Sequence, residues 1–142
     1  VLLEESLKSL AAELWLSDVV NFVGLVGGGR KSALMHSAQL YMQPGRLADG
    51  EREGFGLTYL EAGLAGLPSI SGDAGGAPDA VDHGKTGLVV DATDLDQVIG
   101  ATRALLADAN MRAVLAQGAR KKSALGVWDV KIADYIALIE PR

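Results

Sequence analysis

Glu53 and Glu61, with seven residues between them, bracket the stretch of this chain with the most chemistry in it. Between them runs Gly54-Phe55-Gly56-Leu57-Thr58-Tyr59-Leu60, a glycine-rich turn passing into an apolar helix. Gly54 and Gly56 allow positive φ and a close approach of the backbone to a ligand. The amides of Gly56, Leu57 and Thr58 then open a helix, where free donors and the helix dipole together favour an anion. Glu61 falls about one turn into that helix, beside whatever the amides hold. A phosphate with a hydroxyl-bearing neighbour suits both halves of the segment. The plainer alternatives stand beside this reading: Glu61 as a solvated helix residue, and Glu53 as a partner of the helix dipole.

These groups need a scaffold, and the chain supplies one by alternating short apolar runs with helical periods. Leu3, Leu7, Leu10 and Leu14 recur at helical spacing. Residues 19–23 read as a first strand, 30–38 as a short helix with Leu34 and Met35 as its core candidates, and 40–42 as a second strand stopped by Pro44-Gly45. A polar loop leads to the Glu53 segment and a helix over 57–65. A third strand follows at 68–71, then a glycine turn at 72–76, a short helix near Pro78, a tight turn over 82–86 and a fourth strand at 87–90. The remainder is helical in three pieces, parted near Asn110 and Gly126, with Leu105, Leu106, Val114 and Leu115 as core. The expected fold is α/β: a partial, doubly wound, Rossmann-like parallel sheet of about four strands flanked by helices. In such sheets ligands gather at the carboxyl ends of the strands. The Gly24 region, the Glu53 segment and the 72–76 turn all fall there.

Composition narrows the function classes. The chain has 142 residues, 49% of them apolar, and is read as one domain able to bury a core. A net charge of −5 speaks against an electrostatic nucleic-acid binder. Zero cysteines exclude disulfides and thiolate metal sites and fit a reducing, cytoplasmic setting. His36 and His83 lie far apart, with no metal-ligand spacing between them, so no metal is expected. No apolar run approaches the length of a membrane span. Val1 falls inside a helix-like pattern, and the expectation is a fragment of a longer protein.

The run Gly24-Leu25-Val26-Gly27-Gly28-Gly29-Arg30-Lys31-Ser32 resembles two phosphate-binding motifs and satisfies neither. A P-loop needs Lys directly after its second glycine, and Arg30 intervenes. A dinucleotide fingerprint needs G-x-G-x-x-G and an acidic residue about 20 positions on. A loop leading into a short helix is the plainer reading, although an oxidoreductase-like dinucleotide domain stays open on these glycines.

The order of motifs along the chain resembles the C-terminal part of the nucleotide-binding domain of retaining GT-B glycosyltransferases of the family-4 type. Glu53 and Glu61 match that group's E-x7-E signature, with E-G-F-G-L inside it. Residues 61–70 are similar to E-A-x-A-x-G-x-P-V-I, Gly75 to Val81 to G-G-x-P-E-x-V, and Gly84 to Val90 to N-G-x-T-G-L-L-V. Upstream, Val20 to Gly24 resembles V-x-F-x-G, and residues 37–44 resemble a-A-D-v-f-v-x-P with Gln39 in place of Asp. Trp128 sits where a C-terminal helix Trp commonly occurs, and the loop over 45–52 is similar to that of mannosyltransferases of the phosphatidylinositol mannoside pathway.

The resemblance implies an enzyme that transfers a sugar from a nucleoside-diphosphate sugar, such as a GDP- or UDP-sugar, with retention and without a cofactor or metal. It implies that Glu61 accepts hydrogen bonds from the ribose and that Glu53 faces the donor sugar as the catalytic residue. The amides around Gly54, Phe55, Gly56, Leu57 and Thr58 would hold the diphosphate, and Gly24 and Leu25 would read the base through main-chain groups. It further implies an acceptor domain and an Arg and Lys upstream, which this chain lacks; Arg30, Arg46 and Arg52 do not occupy their place. The fragment alone is therefore expected to transfer no sugar, and the intact enzyme could contact a membrane. An exposed edge at the 19–23 strand would invite self-association. A non-catalytic nucleotide-sugar binding module remains the alternative.

Overall fold

The leucine spacing at the start of the chain forms helix α1 over Leu2–Glu13, with Lys8 pairing to Glu4 at 2.9 Å one turn away. That bond, more than the charge of Glu4 and the further pair to Glu5, raises the Lys8 ammonium above its ordinary pKa. The computed structural model describes residues 2–45 and 56–139. Contacts divide the chain into two units, Val1–Lys31 and Ser32–Arg142.

In the first unit α1 ends at Trp15, whose φ of 58° places a bulky residue in the left-handed region. Its amide bonds to Ala12 O, and the Leu16 amide bonds to Ala11 O at 2.8 Å, closing the helix end. The next turn spends the Val19 and Val20 amides on Leu16 O, at 3.0 and 2.9 Å. The strand expected over residues 19–23 is therefore not formed. A strand draws its hydrogen bonds from a neighbour, and here two of the amides are already used locally. The expected edge at this segment, and the self-association argued from it, go with the strand. Helix α2 spans Gly28–Ser37, starting earlier than expected and taking in two glycines of the Gly27 to Gly29 run. No residue of α2 is buried; Leu34 is exposed and Met35 half-buried, so neither serves as the core residue expected.

The second unit carries the sheet. Strands β1 (Tyr41–Gln43), β2 (Ser69–Gly72) and β3 (Gly87–Val90) lie side by side in that order, all parallel. Among the described residues there are three strands where about four were expected, and β1 is an edge of the sheet they form. Tyr41 pairs with Ser69 and Gln43 with Ser71; Ile70 pairs with Leu88. Side chains alternate between faces. On one face Ile70, Leu88 and Val90 pack with Leu105 of α5 (Leu95–Ala107) and Leu115 of α6 (Ala109–Leu125). On the other, Tyr41 and Val89 pack against Tyr59 of α3 (Leu57–Leu64) and Ala77, Ala80 and Val81 around α4 (Ala77–Ala80). Helix α7 covers Trp128–Ile139, and the Trp128 side chain lies outside the described ones.

Helix ends are set by their caps. Asp94 caps α5, accepting from the Asp96 and Gln97 amides. Asp108 ends α5 and caps α6 through the Met111 amide, two residues before the break expected near Asn110. Arg112 bends back onto the carbonyls of Leu105 and Leu106 at 2.6 and 2.8 Å. Leu106 and Val114 were expected in the core with Leu105 and Leu115, but are 51% and 66% exposed. They fall on the outward side of their helices.

Two outcomes follow from these ends. The Gln97 side chain, followed by the Gln97 amide, holds the Asp94 carboxyl below its ordinary pKa. A carboxylate depressed on folding contributes stability above its unfolded pKa and loses it as pH falls through the folded value. Asp94→Ala therefore lowers the thermal midpoint at neutral pH, and the gap to wild type closes below about pH 3.8, as circular dichroism melts will show. Trp15→Gly removes the left-handed penalty of a side chain that is 93% exposed. It is expected to stabilise the end of α1 by about 1 kcal/mol, seen as slower exchange of the Leu16 amide.

Candidate functional site

The carboxyl ends of β1 and β2 and the start of α3 form the candidate site. Gly56 is the N-cap of α3 with φ 75° and ψ 47°, and α3 has no side-chain cap. A Cβ at Gly56 would stand 2.7 Å from the Tyr59 ring, so both conformation and space require glycine. The amides of Leu57 and Thr58 then begin the helix, ahead of the first turn bond from the Tyr59 amide to Gly56 O at 2.9 Å. Leu57 is exposed, Thr58 and Glu61 are half-buried, and Glu61 Oε2 is shielded from solvent.

Two contacts hold α3 in place. Its Ala62 and Gly63 are buried, and a Cβ on Gly63 would lie 2.1 Å from Ser123 Oγ and 2.9 Å from Ala119 O of α6. Toward the sheet, the Tyr59 ring meets that of Tyr41 edge to face at 5.7 Å. The Tyr59 hydroxyl donates to Gln43 O at 2.5 Å. Gln43 Oε1 accepts from Tyr41 Oη at 2.5 Å and from Thr58 Oγ1 at 2.9 Å. Gln43 was not singled out from the sequence. The available signal was a glutamine closing a strand at the end of the sheet where ligands gather.

Beside Gln43 on β2, the Ser71 hydroxyl is fully buried and has no hydrogen-bond partner among the described residues. Gly72 follows, where a Cβ would strike Gly45 O. Lys122 donates to Asp79 O at 2.6 Å and pairs with Asp82 at 2.8 Å, tying α6 to the end of α4. His83 accepts from the Val89 amide at 3.0 Å, and the His36 ring meets Ser32 O at 2.8 Å. On its outer side α3 contributes Leu57 and Leu60 to a cleft of about 490 Å³ shared with Leu125, Lys131 and Tyr135.

Of the residues assigned from the sequence, Gly56, Leu57, Thr58 and Glu61 come together on one helix. Gly24, with φ 60°, and the fully exposed Leu25 belong to the first unit. Glu53, Gly54 and Phe55 lie outside the described residues. Among the described residues no group of three or more His, Asp or Glu could hold a metal, and no helix is long and apolar enough to cross a membrane.

A parallel sheet presenting an uncapped helix start at its carboxyl end is the architecture of a nucleotide-binding α/β domain, and its fold is that of GT-B glycosyltransferases. Residues 3–122 match the family described as glycosyl transferases group 1, and the chain belongs to that family. It is 37% identical over 138 residues to a GDP-mannose-dependent alpha-(1-6)-phosphatidylinositol monomannoside mannosyltransferase of Mycobacterium tuberculosis, covering 93% of this chain and 36% of that protein. Among solved structures, sucrose-phosphate synthase from Thermosynechococcus elongatus superposes with a TM-score of 0.82 at 27% identity, over 94% of this chain and 33% of the other. Anabaena HepE in complex with UDP-glucose gives 0.77 at 24% identity, over 95% and 36%. The chain thus spans about a third of the length of the relatives it matches.

Because Gly63 sits against α6 with no room for a methyl group, Gly63→Ala should push α3 outward. The expected loss is about 1–3 kcal/mol of stability, read from the urea midpoint. Gly100→Ala, with open space around its site, serves as the control.

Proposed function

We propose that residues 1–142 form part of the donor-binding domain of a retaining glycosyltransferase that uses a nucleoside-diphosphate sugar, with GDP-mannose the foremost candidate. The observation that carries this is a helix start without a side-chain cap, followed one turn later by a half-buried glutamate, at the carboxyl end of a parallel sheet. The GDP-mannose dependence of the mannosyltransferase relative supports the choice of donor.

In this reading the Gly56, Leu57 and Thr58 amides receive the diphosphate and Glu61 accepts hydrogen bonds from the ribose hydroxyls. Gly54 and Phe55 continue the phosphate turn, Gly24 and Leu25 meet the base, and Glu53 faces the sugar. The bond from the anomeric carbon to the diphosphate oxygen breaks while the acceptor oxygen bonds to the same face and passes its hydroxyl proton to the departing diphosphate oxygen. Negative charge then grows on the leaving diphosphate, where fixed amides at a helix start stabilise it without reorganising. An acceptor domain and upstream basic residues complete the enzyme, and the reaction needs no metal. A cysteine-free chain suits the cytoplasm, where the full-length enzyme would meet its donor and, if its acceptor is a lipid, a membrane surface.

The test is calorimetric titration of the full-length protein with GDP and UDP. Tighter binding of GDP is expected. Glu61→Ala should raise the GDP dissociation constant about tenfold, the worth of a hydrogen bond to a charged group. An unchanged constant would remove the ribose assignment.

A further inference from the structure

We infer that Gln43 is a positioning residue for the donor site: its side-chain carbonyl, by accepting the Thr58 hydroxyl, fixes the anion-facing first turn of α3 to the end of β1. The inference rests on the donor reading above and deepens it. Helix α3 begins with a glycine that offers no capping side chain for its first turn. The strand end supplies what the cap does not. Gln43 Oε1 accepts from Thr58 Oγ1 at 2.9 Å and from Tyr41 Oη at 2.5 Å, which uses both lone pairs of the amide oxygen and sets the plane of the amide. The main-chain oxygen of the same residue accepts from Tyr59 Oη at 2.5 Å. Two consecutive residues of the first turn of α3 are thus bonded to one residue of the sheet.

This arrangement assigns the Thr58 side chain a role different from that of its amide. The hydroxyl proton points at Gln43, so it is not offered to a phosphate, and contact with the anion is left to the main chain. The bonds matter because amides aimed at a developing charge lose their effect when displaced by a fraction of an ångström to an ångström.

The experiment compares Gln43→Leu, Thr58→Val, the double variant and Thr58→Ser in the full-length protein. The readouts are the GDP dissociation constant and the exchange of the Tyr59 and Leu60 amides without nucleotide. Gln43→Leu and Thr58→Val should each weaken GDP binding about tenfold and speed exchange at both amides, with far-UV circular dichroism unchanged. The double variant should be no weaker than the weaker single, since both remove the bond from Thr58 to Gln43 and Gln43→Leu removes the Tyr41 bond besides, and Thr58→Ser should restore binding to within about twofold. Wild-type binding with neither single variant affected overturns the inference alone, as do losses that add in the double variant. Failure of the wild type to bind either nucleotide overturns the donor reading, and the inference with it. If Gln43→Leu does not fold, the Thr58→Val and Thr58→Ser pair decides by the same readouts.

Discussion

Helix α3 rests on α6 with Gly63 set directly against Ser123 and the main chain of Ala119, and the candidate site depends on that contact. Ala119 and Ser123 present small side chains at the spacing of one helical turn, so α6 lies close enough to leave no room for a Cβ at Gly63. The depth so gained brings Tyr59 down to the sheet, where its ring meets Tyr41 and its hydroxyl reaches Gln43 O. A helix held one methyl group further out would present its first turn to solvent, detached from the strand end.

Around that contact the two faces of the sheet divide the work. The face toward α5 and α6 is aliphatic, with Ile70 and Leu105 fully buried, and anchors the sheet by apolar burial. The face toward α3 carries Tyr41, Gln43, Ser69 and Ser71, of which the Tyr41 hydroxyl and the Gln43 amide make hydrogen bonds of fixed direction. Those bonds lie toward the end of the sheet where α3 begins. The Lys122 to Asp82 pair braces the far side, joining α6 to the segment that leads into β3.

Much of this was legible in residue order. The E-x7-E spacing, the glycine before Leu57 and the strand–glycine–helix alternation led to α3, β2 and β3 nearly as they stand, because turn residues and apolar periods act through near neighbours. Residues 19–23 misled: a β-branched, aromatic run has strand propensity, yet a strand also needs a partner, and Leu16 O claimed two of its amides first. Leu106 and Val114 misled for a related reason. Each is apolar and helical, but the helix face they occupy is decided by how α5 and α6 turn at Asp108. The role of Lys122 has no local signal, because its partners, Asp79 and Asp82, lie some forty residues earlier.

The sequence by itself determined the class of fold, the family and the glycine-to-glutamate segment of the candidate site, since those are written in composition, spacing and local turn chemistry. Only the tertiary structure decided what holds that segment. The Gln43 to Thr58 bond joins residues fifteen apart in the chain, and the contact at Gly63 joins two helices with β2 and β3 between them in sequence. Neither has a local signature, because a hydrogen bond or a close helix crossing exists only once parallel pairing has fixed which residues face each other.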